Sequence, residues 1–260
     1  MRIGGRDLGR LISGLTGRQH YVALANAFSA YARPLEGLRR YLLAQGDYPT
    51  AFALNTPTGR REATLYSVHD MLTVNEVFCR KDYAADASLR VAVDFGSNIG
   101  LSALYFLTRN PTARVHLFEP APRNIERLRA QLEGFEDRYV LHEAAVGDRD
   151  GEVEFALEDS GRYGGVADRL EGAWAEAEME RLKVPLVSAA RVLTEIAEAE
   201  GGIDLLKIDV EGFESAILGS LPEDLLRRIG VVYAEFDGSG PVPPGMTRRQ
   251  YGSVAVYRPA

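Results

Sequence analysis

A single cysteine, Cys79, leaves this 260-residue chain without an intrachain disulfide and without a cysteine-based metal cage. No apolar run is long enough to span a bilayer, and the opening MRIGGRDLGR holds no apolar leader core. Dense runs of Lys and Arg are also missing. The pairs Arg39-Arg40, Arg60-Arg61, Arg227-Arg228 and Arg248-Arg249 are scattered, and the formal net charge is -7. That balance argues against a sequence-independent grip on nucleic acid. Internal repeats and low-complexity tracts are absent. The expectation is a soluble cytoplasmic protein with neither a nucleic-acid nor a membrane partner. A hydrophobic share of 46% suffices for a sizeable core, and the length suits one large α/β domain or a domain with a helical extension.

What is present centres on residues 91–120, VAVDFGSNIGLSALYFLTRNPTARVHLFEP. The apolar run Val91 to Val93 ends in Asp94. The tight loop Gly96-Ser97-Asn98-Ile99-Gly100 follows, then helical apolar spacing, then a second apolar run, Val115 to Phe118, ending in Glu119. Strand, glycine loop, helix, strand and acid make a unit that offers backbone N–H groups and a carboxylate to a nucleoside-bearing ligand. The dinucleotide fingerprint G-x-G-x-x-G fails here, because Asn98 and Leu101 stand where its second and third glycines belong. The P-loop fails too, since no Gly-Lys-Ser/Thr follows. An acid two residues before the first glycine suits a ligand with an ammonium group and no phosphate, and S-adenosylmethionine is such a ligand. The alternative is that Gly96 and Gly100 only shape a tight turn.

Strands are expected at 90–94, 114–119, 138–142, 152–156, 203–208, 230–236 and 252–258. Helices are expected at 99–109, 122–133, 189–200, 212–219 and 222–228, with Pro122 in a first turn and Gly134 at an end. The alternation predicts a doubly wound, mostly parallel sheet with its ligand at the switch in strand order. Ahead of this core, which begins near Leu89, an apolar stripe (Tyr21, Leu24, Ala25, Phe28, Tyr31, Ala32, Leu35, Leu38, Leu42) predicts a helix broken or restarted at Pro34. Short strands at 50–55 and 62–68 flank a turn at 57–60, and a helix is expected from Asp70 to Phe78. Thr73-Val74-Asn75-Glu76 matches a capping box. The loops 158–170 and 237–250 are either substrate contacts or plain connectors.

A second motif, Leu205-Leu206-Lys207-Ile208-Asp209-Val210-Glu211-Gly212-Phe213-Glu214, runs a buried strand into an acidic junction. Leu205, Lys207 and Asp209 share one strand face. Asp209 can take an ammonium, accept a proton or hold a metal, and a charge there needs a partner. Glu211 and Glu214 equally suit first-turn acids facing a helix dipole, and Lys207 equally suits a neutraliser of a neighbouring acid.

Together SVHDMLTVNEVFCRKDY, VAVDFGSNIGLSALYF, VHLFEPAPRNIERLRAQL, HEAAVGDRDGEVEF and LLKIDVEGFESAIL resemble the FkbM-type methyltransferases over about residues 62–236. The resemblance implies a Rossmann-like class I methyltransferase fold, with 61–260 as the S-adenosylmethionine-dependent domain; residues 1–60, outside the resemblance, are expected to form a helical extension (a lid or a dimer contact). It implies that Asp94, Gly96, Ser97, Asn98 and Gly100 surround the methionine and ribose side of the cofactor. Glu119, followed by Pro120, would hold the ribose hydroxyls, Glu143 and Ala144 would flank adenine, and Asp209 would lie by the sulfonium. Glu76 and Tyr83 would close over the cofactor, although Glu76 has the capping box as a second explanation. Where the family carries an acidic run, this chain has Val187-Ser188-Ala189-Ala190-Arg191. After Glu235 only Ser253 to Tyr257 reads as a strand, so a reduced closing hairpin is expected, with six core strands if 152–156 is peripheral.

The implied reaction is transfer of a methyl group to a hydroxyl of a sugar or secondary metabolite. An N-methyltransferase, a nicotinamide-dependent oxidoreductase and a non-catalytic binding module are the alternatives. A neutral hydroxyl must lose its proton, so a base or metal is needed. Asp209, Glu211, His69, His142, Glu235 and Asp237 are the candidates. Asp209 with Glu211 or Glu235 would suit Mg²⁺, but no metal-ligand spacing assigns it.

Overall fold

The computed structural model describes residues 2–3, 6–7, 18–158, 164–166, 179–210, 212–236 and 240–260. Its chain divides into two compact units, residues 1–87 with 108–111, and residues 88–107 with 112–260.

In the first unit, α1 (Arg18–Ala30) and α2 (Pro34–Leu43) are separate helices, with Pro34 opening the second. An antiparallel hairpin follows, β1 (Thr50–Thr56) and β2 (Gly59–Leu65). Helix α3 (Val68–Val74) then runs on as a wider π-turn over Asn75–Arg80. The capping box here is formed by Ser67 and Asp70. Ser67 Oγ accepts the Asp70 N–H, and Asp70 Oδ2 accepts the Ser67 N–H. This differs from the box expected at Thr73–Glu76: Thr73 lies inside the helix and its hydroxyl donates back to the His69 carbonyl. The packed face of α1 differs from the expected stripe: Ala23, Ala27 and Ala30 are buried, while Tyr21, Leu24 and Phe28 are exposed; further along the stripe, Tyr31 and Leu38 are buried as expected. Small side chains let α1 pack closely on the π-turn, where Asn26 Nδ2 donates to the Cys79 carbonyl at 2.7 Å.

The second unit holds β3 (Val91–Phe95), α4 (Leu101–Leu107), β4 (Arg114–Phe118), α5 (Pro122–Gln131) and β5 (Tyr139–His142). Three short or solvated strands follow, β6 (Ala145–Gly147), β7 (Gly151–Leu157) and β8 (Gly164–Val166). The chain continues through β9 (Glu180–Ser188), α6 (Ala189–Glu200), β10 (Ile203–Ile208), α7 (Glu214–Ser220), α8 (Glu223–Leu226), β11 (Ile229–Glu235), β12 (Met246–Tyr251) and β13 (Val254–Pro259).

The main sheet has seven strands in the order β12-β13-β11-β10-β3-β4-β5. Strands β11, β10, β3, β4 and β5 are parallel, and β12 and β13 close the edge antiparallel. This is the expected doubly wound, Rossmann-like sheet, and its closing hairpin is complete. The expected reduction to six strands is therefore corrected. Strand β12 escaped notice because Thr247 to Tyr251 present mostly exposed or half-exposed polar side chains, as an edge strand should. The 152–156 strand takes the peripheral place that the sequence left open, in a second sheet of order β8-β7-β9-β6. Helix α6 seats Val192, Leu193, Ile196 and Ala197 against Val93, Phe95 and Ile208 of the main sheet. Ser188 caps this helix and Gly201, at φ +81°, ends it.

Candidate active site

Strand order reverses between β3 and β10, and ligands of such sheets bind outside the carboxyl ends at that point. Asp94 on β3 and Lys207 on β10 stand opposite each other in register. Lys207 Nζ lies 3.0 Å from Asp94 Oδ1 and 3.2 Å from Asp209 Oδ2. It also donates to the Gly96 carbonyl at 3.0 Å. The lysine and Asp94 side chains are 3% and 0% exposed, whereas that of Asp209 is 31% exposed. Ser102 Oγ donates to Asp94 Oδ2 at 2.5 Å. Burial pushes the Asp94 carboxyl upward, and Lys207 and Ser102 oppose it. Burial would lower the Lys207 ammonium, but Asp209 and Asp94 outweigh it and raise it. Two carboxylates and one ammonium thus meet at the switch point, and the solvent-facing member is an acid.

The glycine loop spends its amides inward. Gly96 and Ser97 N–H donate to the Phe118 carbonyl, Asn98 N–H to Glu119 Oε2 at 2.9 Å, and Gly100 N–H to the Ser97 carbonyl. Ser97 Oγ donates to the Asp94 carbonyl and accepts the Phe118 N–H. Gly96, at φ +79°, lies so close to β10's exit that a Cβ there would sit 1.8 Å from the Asp209 carbonyl oxygen. The two loops are tied again where Asp209 N–H donates to the Phe95 carbonyl.

Glu119 is 4% exposed. Its Oε1 accepts from Ala121 N–H and Asn124 Nδ2, and Oε2 from Asn98 N–H. A carboxylate offers about four lone-pair positions, so one on Oε2 is left. Burial raises the Glu119 carboxyl to about 7 against those three donors. Its folded value exceeds the ordinary 4.5, so the associated stability is fully present below pH 4.5 and is lost as pH rises through about 7. The swing amounts to about 3 kcal/mol. Urea unfolding at about pH 5 and about pH 8 should show this loss in the wild type and not in Glu119→Gln.

The remaining residues of the sequence reading are spread more widely. Pro120 is half-buried, Ala144 is buried, and the exposed Glu143 pairs with Arg129 on the surface. Glu214 bridges the β10–α7 loop, accepting from Val210 and Gly212 N–H, which is the first-turn role. His142 stacks on Phe118 at 4.3 Å. Burial lowers its pKa. Glu211 and Asp237 lie outside the described residues. His69, Glu76 and Tyr83 belong to the first unit. There His69 is in the first turn of α3, Glu76 lies 3.9 Å from Arg80 in the π-turn, and Tyr83 is buried. Among the described residues no three His, Cys, Asp or Glu side chains gather as a metal site. No described helix is long and apolar enough to cross a membrane.

The sequence model of the methyltransferase FkbM domain matches residues 94–244, from the acid of β3 to the loop before β12. The chain belongs to this family. The 2-O-methyltransferase NoeI of Sinorhizobium fredii is 29% identical over 154 residues, 56% of this chain and 63% of NoeI. The chain therefore spans less than two thirds of that relative. The 31-O-demethyl-FK506 methyltransferase FkbM of Streptomyces tacrolimicus is 28% identical over 208 residues, 70% of this chain and 80% of the relative. Among solved structures, the methyltransferase FkbM from Methylobacillus flagellatus aligns with a TM-score of 0.43 and 13% identity, over 74% of this chain and 54% of that one.

The expectation that Lys207 neutralises a neighbouring acid is met at Asp94, and the lysine also joins the two motifs through Asp209 and the Gly96 carbonyl. The available signal was the face it shares with Asp209. Its pairing with Asp94 depends on strand register.

Proposed function

We propose that this protein transfers a methyl group from S-adenosylmethionine to a hydroxyl of a small-molecule acceptor, a sugar or a natural-product intermediate. The observation that carries this reading is the acidic, cation-bridged cluster at the switch point beside a loop whose amides are already bonded. A phosphate would meet the Asp209 carboxylate, with the Asp94 and Glu119 acids behind it and no loop amide of Gly96, Ser97, Asn98 or Gly100 to receive it. A sulfonium with an ammonium meets matching charge. The residues present therefore fit this cofactor and disfavour a dinucleotide.

When bound, the cofactor supplies an electrophilic methyl group for in-line displacement. The chain's part is to bind, orient and exclude water. Asp209 Oδ2 is held by Lys207, and Oδ1 has no partner among the described residues. We assign Oδ1 to the cofactor's cationic end. The last acceptor position on Glu119 Oε2 suits a ribose hydroxyl. Asp94 and Ser97, expected to touch the cofactor, face Lys207, Ser102 and the backbone, and so shape the crevice from behind. The named reactions of NoeI and FkbM, both at oxygen, support a hydroxyl acceptor.

The test is thermal unfolding with S-adenosylmethionine, S-adenosylhomocysteine and NAD(P)H in parallel. At a hundredfold excess over Kd, either sulfur ligand should stabilise by about 2.7 kcal/mol. That corresponds to a midpoint rise of roughly 5–11 °C. Stabilisation by the dinucleotide alone would overturn the reading.

A further inference from the structure

A buried ion pair needs one carboxylate to neutralise one ammonium, and Asp94 already neutralises Lys207. Asp209 is not required for that balance. Its side chain is 31% exposed and open to solvation. Yet Lys207 reaches Asp209 as well, and the carbonyls of Gly96 and Phe95 at 3.0 and 3.5 Å. An ammonium has three donors, and here they meet at least four acceptors drawn from both motifs. Buried ion pairs are often no more stabilising than apolar side chains of the same volume, so stability alone is a weak account of this arrangement.

Backbone contacts fix the same place. Asp209 N–H is bonded to Phe95, and Gly96 is packed on the Asp209 carbonyl. The backbone at Asp209 is therefore set by β3, and its side-chain direction is set by Lys207. With Oδ2 occupied, Oδ1 is the oxygen left to a ligand.

We propose that Lys207 is a positioning residue that acts through Asp209, turning one carboxylate oxygen of that residue toward the cofactor's cationic end. The proposal rests on the reading that the switch-point crevice binds S-adenosylmethionine.

The two ideas separate in one experiment. Titration calorimetry measures S-adenosylmethionine affinity for the full chain as wild type, Lys207→Met, Asp209→Asn and the double variant, each below its own unfolding midpoint. Absence of binding by the wild type sinks the underlying reading. If the wild type binds, each single change should weaken affinity about tenfold or more. The double variant should then be within about twofold of Asp209→Asn, because Lys207 has nothing left to orient. Independent effects that multiply in the double variant overturn the proposal, as does a Lys207→Met protein with wild-type affinity. Loss of Lys207 leaves Asp94 buried without its cation, so Lys207→Met is also made in an Asp94→Asn background. There both buried charges are removed together, and the same four-way comparison with Asp209→Asn is read.

Discussion

Replacing Asp94 by alanine should destabilise the protein by about 3–5 kcal/mol, the range for stripping one partner from a buried ion pair. The Lys207 ammonium would remain 3% exposed, with Asp209 the one carboxylate left at ion-pair distance among the described residues. Ser102 Oγ would lose its acceptor as well. At about 2–4 °C per kcal/mol for a domain of this size, the unfolding midpoint should fall by roughly 6–20 °C. Asp94→Asn should fall by less, since the amide keeps the volume and an acceptor for Ser102, and the single cation keeps Asp209. The sequence reading gives Asp94 a different part, a direct contact with the cofactor's ammonium. That part predicts a protein of normal stability that binds the cofactor poorly. Calorimetric midpoints of the two apo variants decide between these roles. An Asp94→Ala protein that melts with the wild type would remove the aspartate from the structural cluster.

The contrast shows which features a sequence displays. β3, β4 and β10 were legible because parallel strands buried on both faces read as mostly apolar runs, interrupted at His116 in β4 and at Asp204 and Lys207 in β10. Helix α6 was legible at both ends, since Ser188 and Gly201 mark them chemically. The glycine loop and Glu119 were legible as motifs, and the structure joins them through Asn98 N–H and Glu119 Oε2. The second sheet was legible only in β7, expected at 152–156. β9 alternates Leu182, Val184 and Leu186 with Lys183 and Pro185, but its proline and its charged start read against a strand, and β6 has only three residues. The closing edge strand β12 is polar for the reason edge strands are. The π-turn at Asn75–Arg80 has no sequence signature, and its extra width displaced the expected end of α3. Lys207 reads in the sequence as a neutraliser of some neighbouring acid. Local pattern cannot say that it stands across from Asp94, because that follows from the register of two strands far apart in the chain.

Gly96→Ala should be the most damaging single-methyl change in the glycine loop. The added Cβ would lie 1.8 Å from the Asp209 carbonyl oxygen and 3.0 Å from its carbonyl carbon, both backbone atoms. Neither can swing away as a flexible side chain would. The residue also sits at φ +79°, where an L side chain is strained. Strain and overpacking together should cost roughly 2–6 kcal/mol. Relief requires the loop after β10 to move, which breaks the Asp209 N–H bond to Phe95 and takes Asp209 away from Lys207. Cofactor affinity should therefore fall together with stability. Gly134→Ala supplies the control. Its φ is +85°, but nothing lies within 4 Å of the added Cβ, so only the backbone penalty applies, about 1 kcal/mol, with affinity unchanged. Melting curves and calorimetric binding on both variants read the two quantities separately. Equal losses in the two proteins would mean that the close approach of the loops at Gly96 contributes nothing, and that the glycine is needed only for its backbone angle.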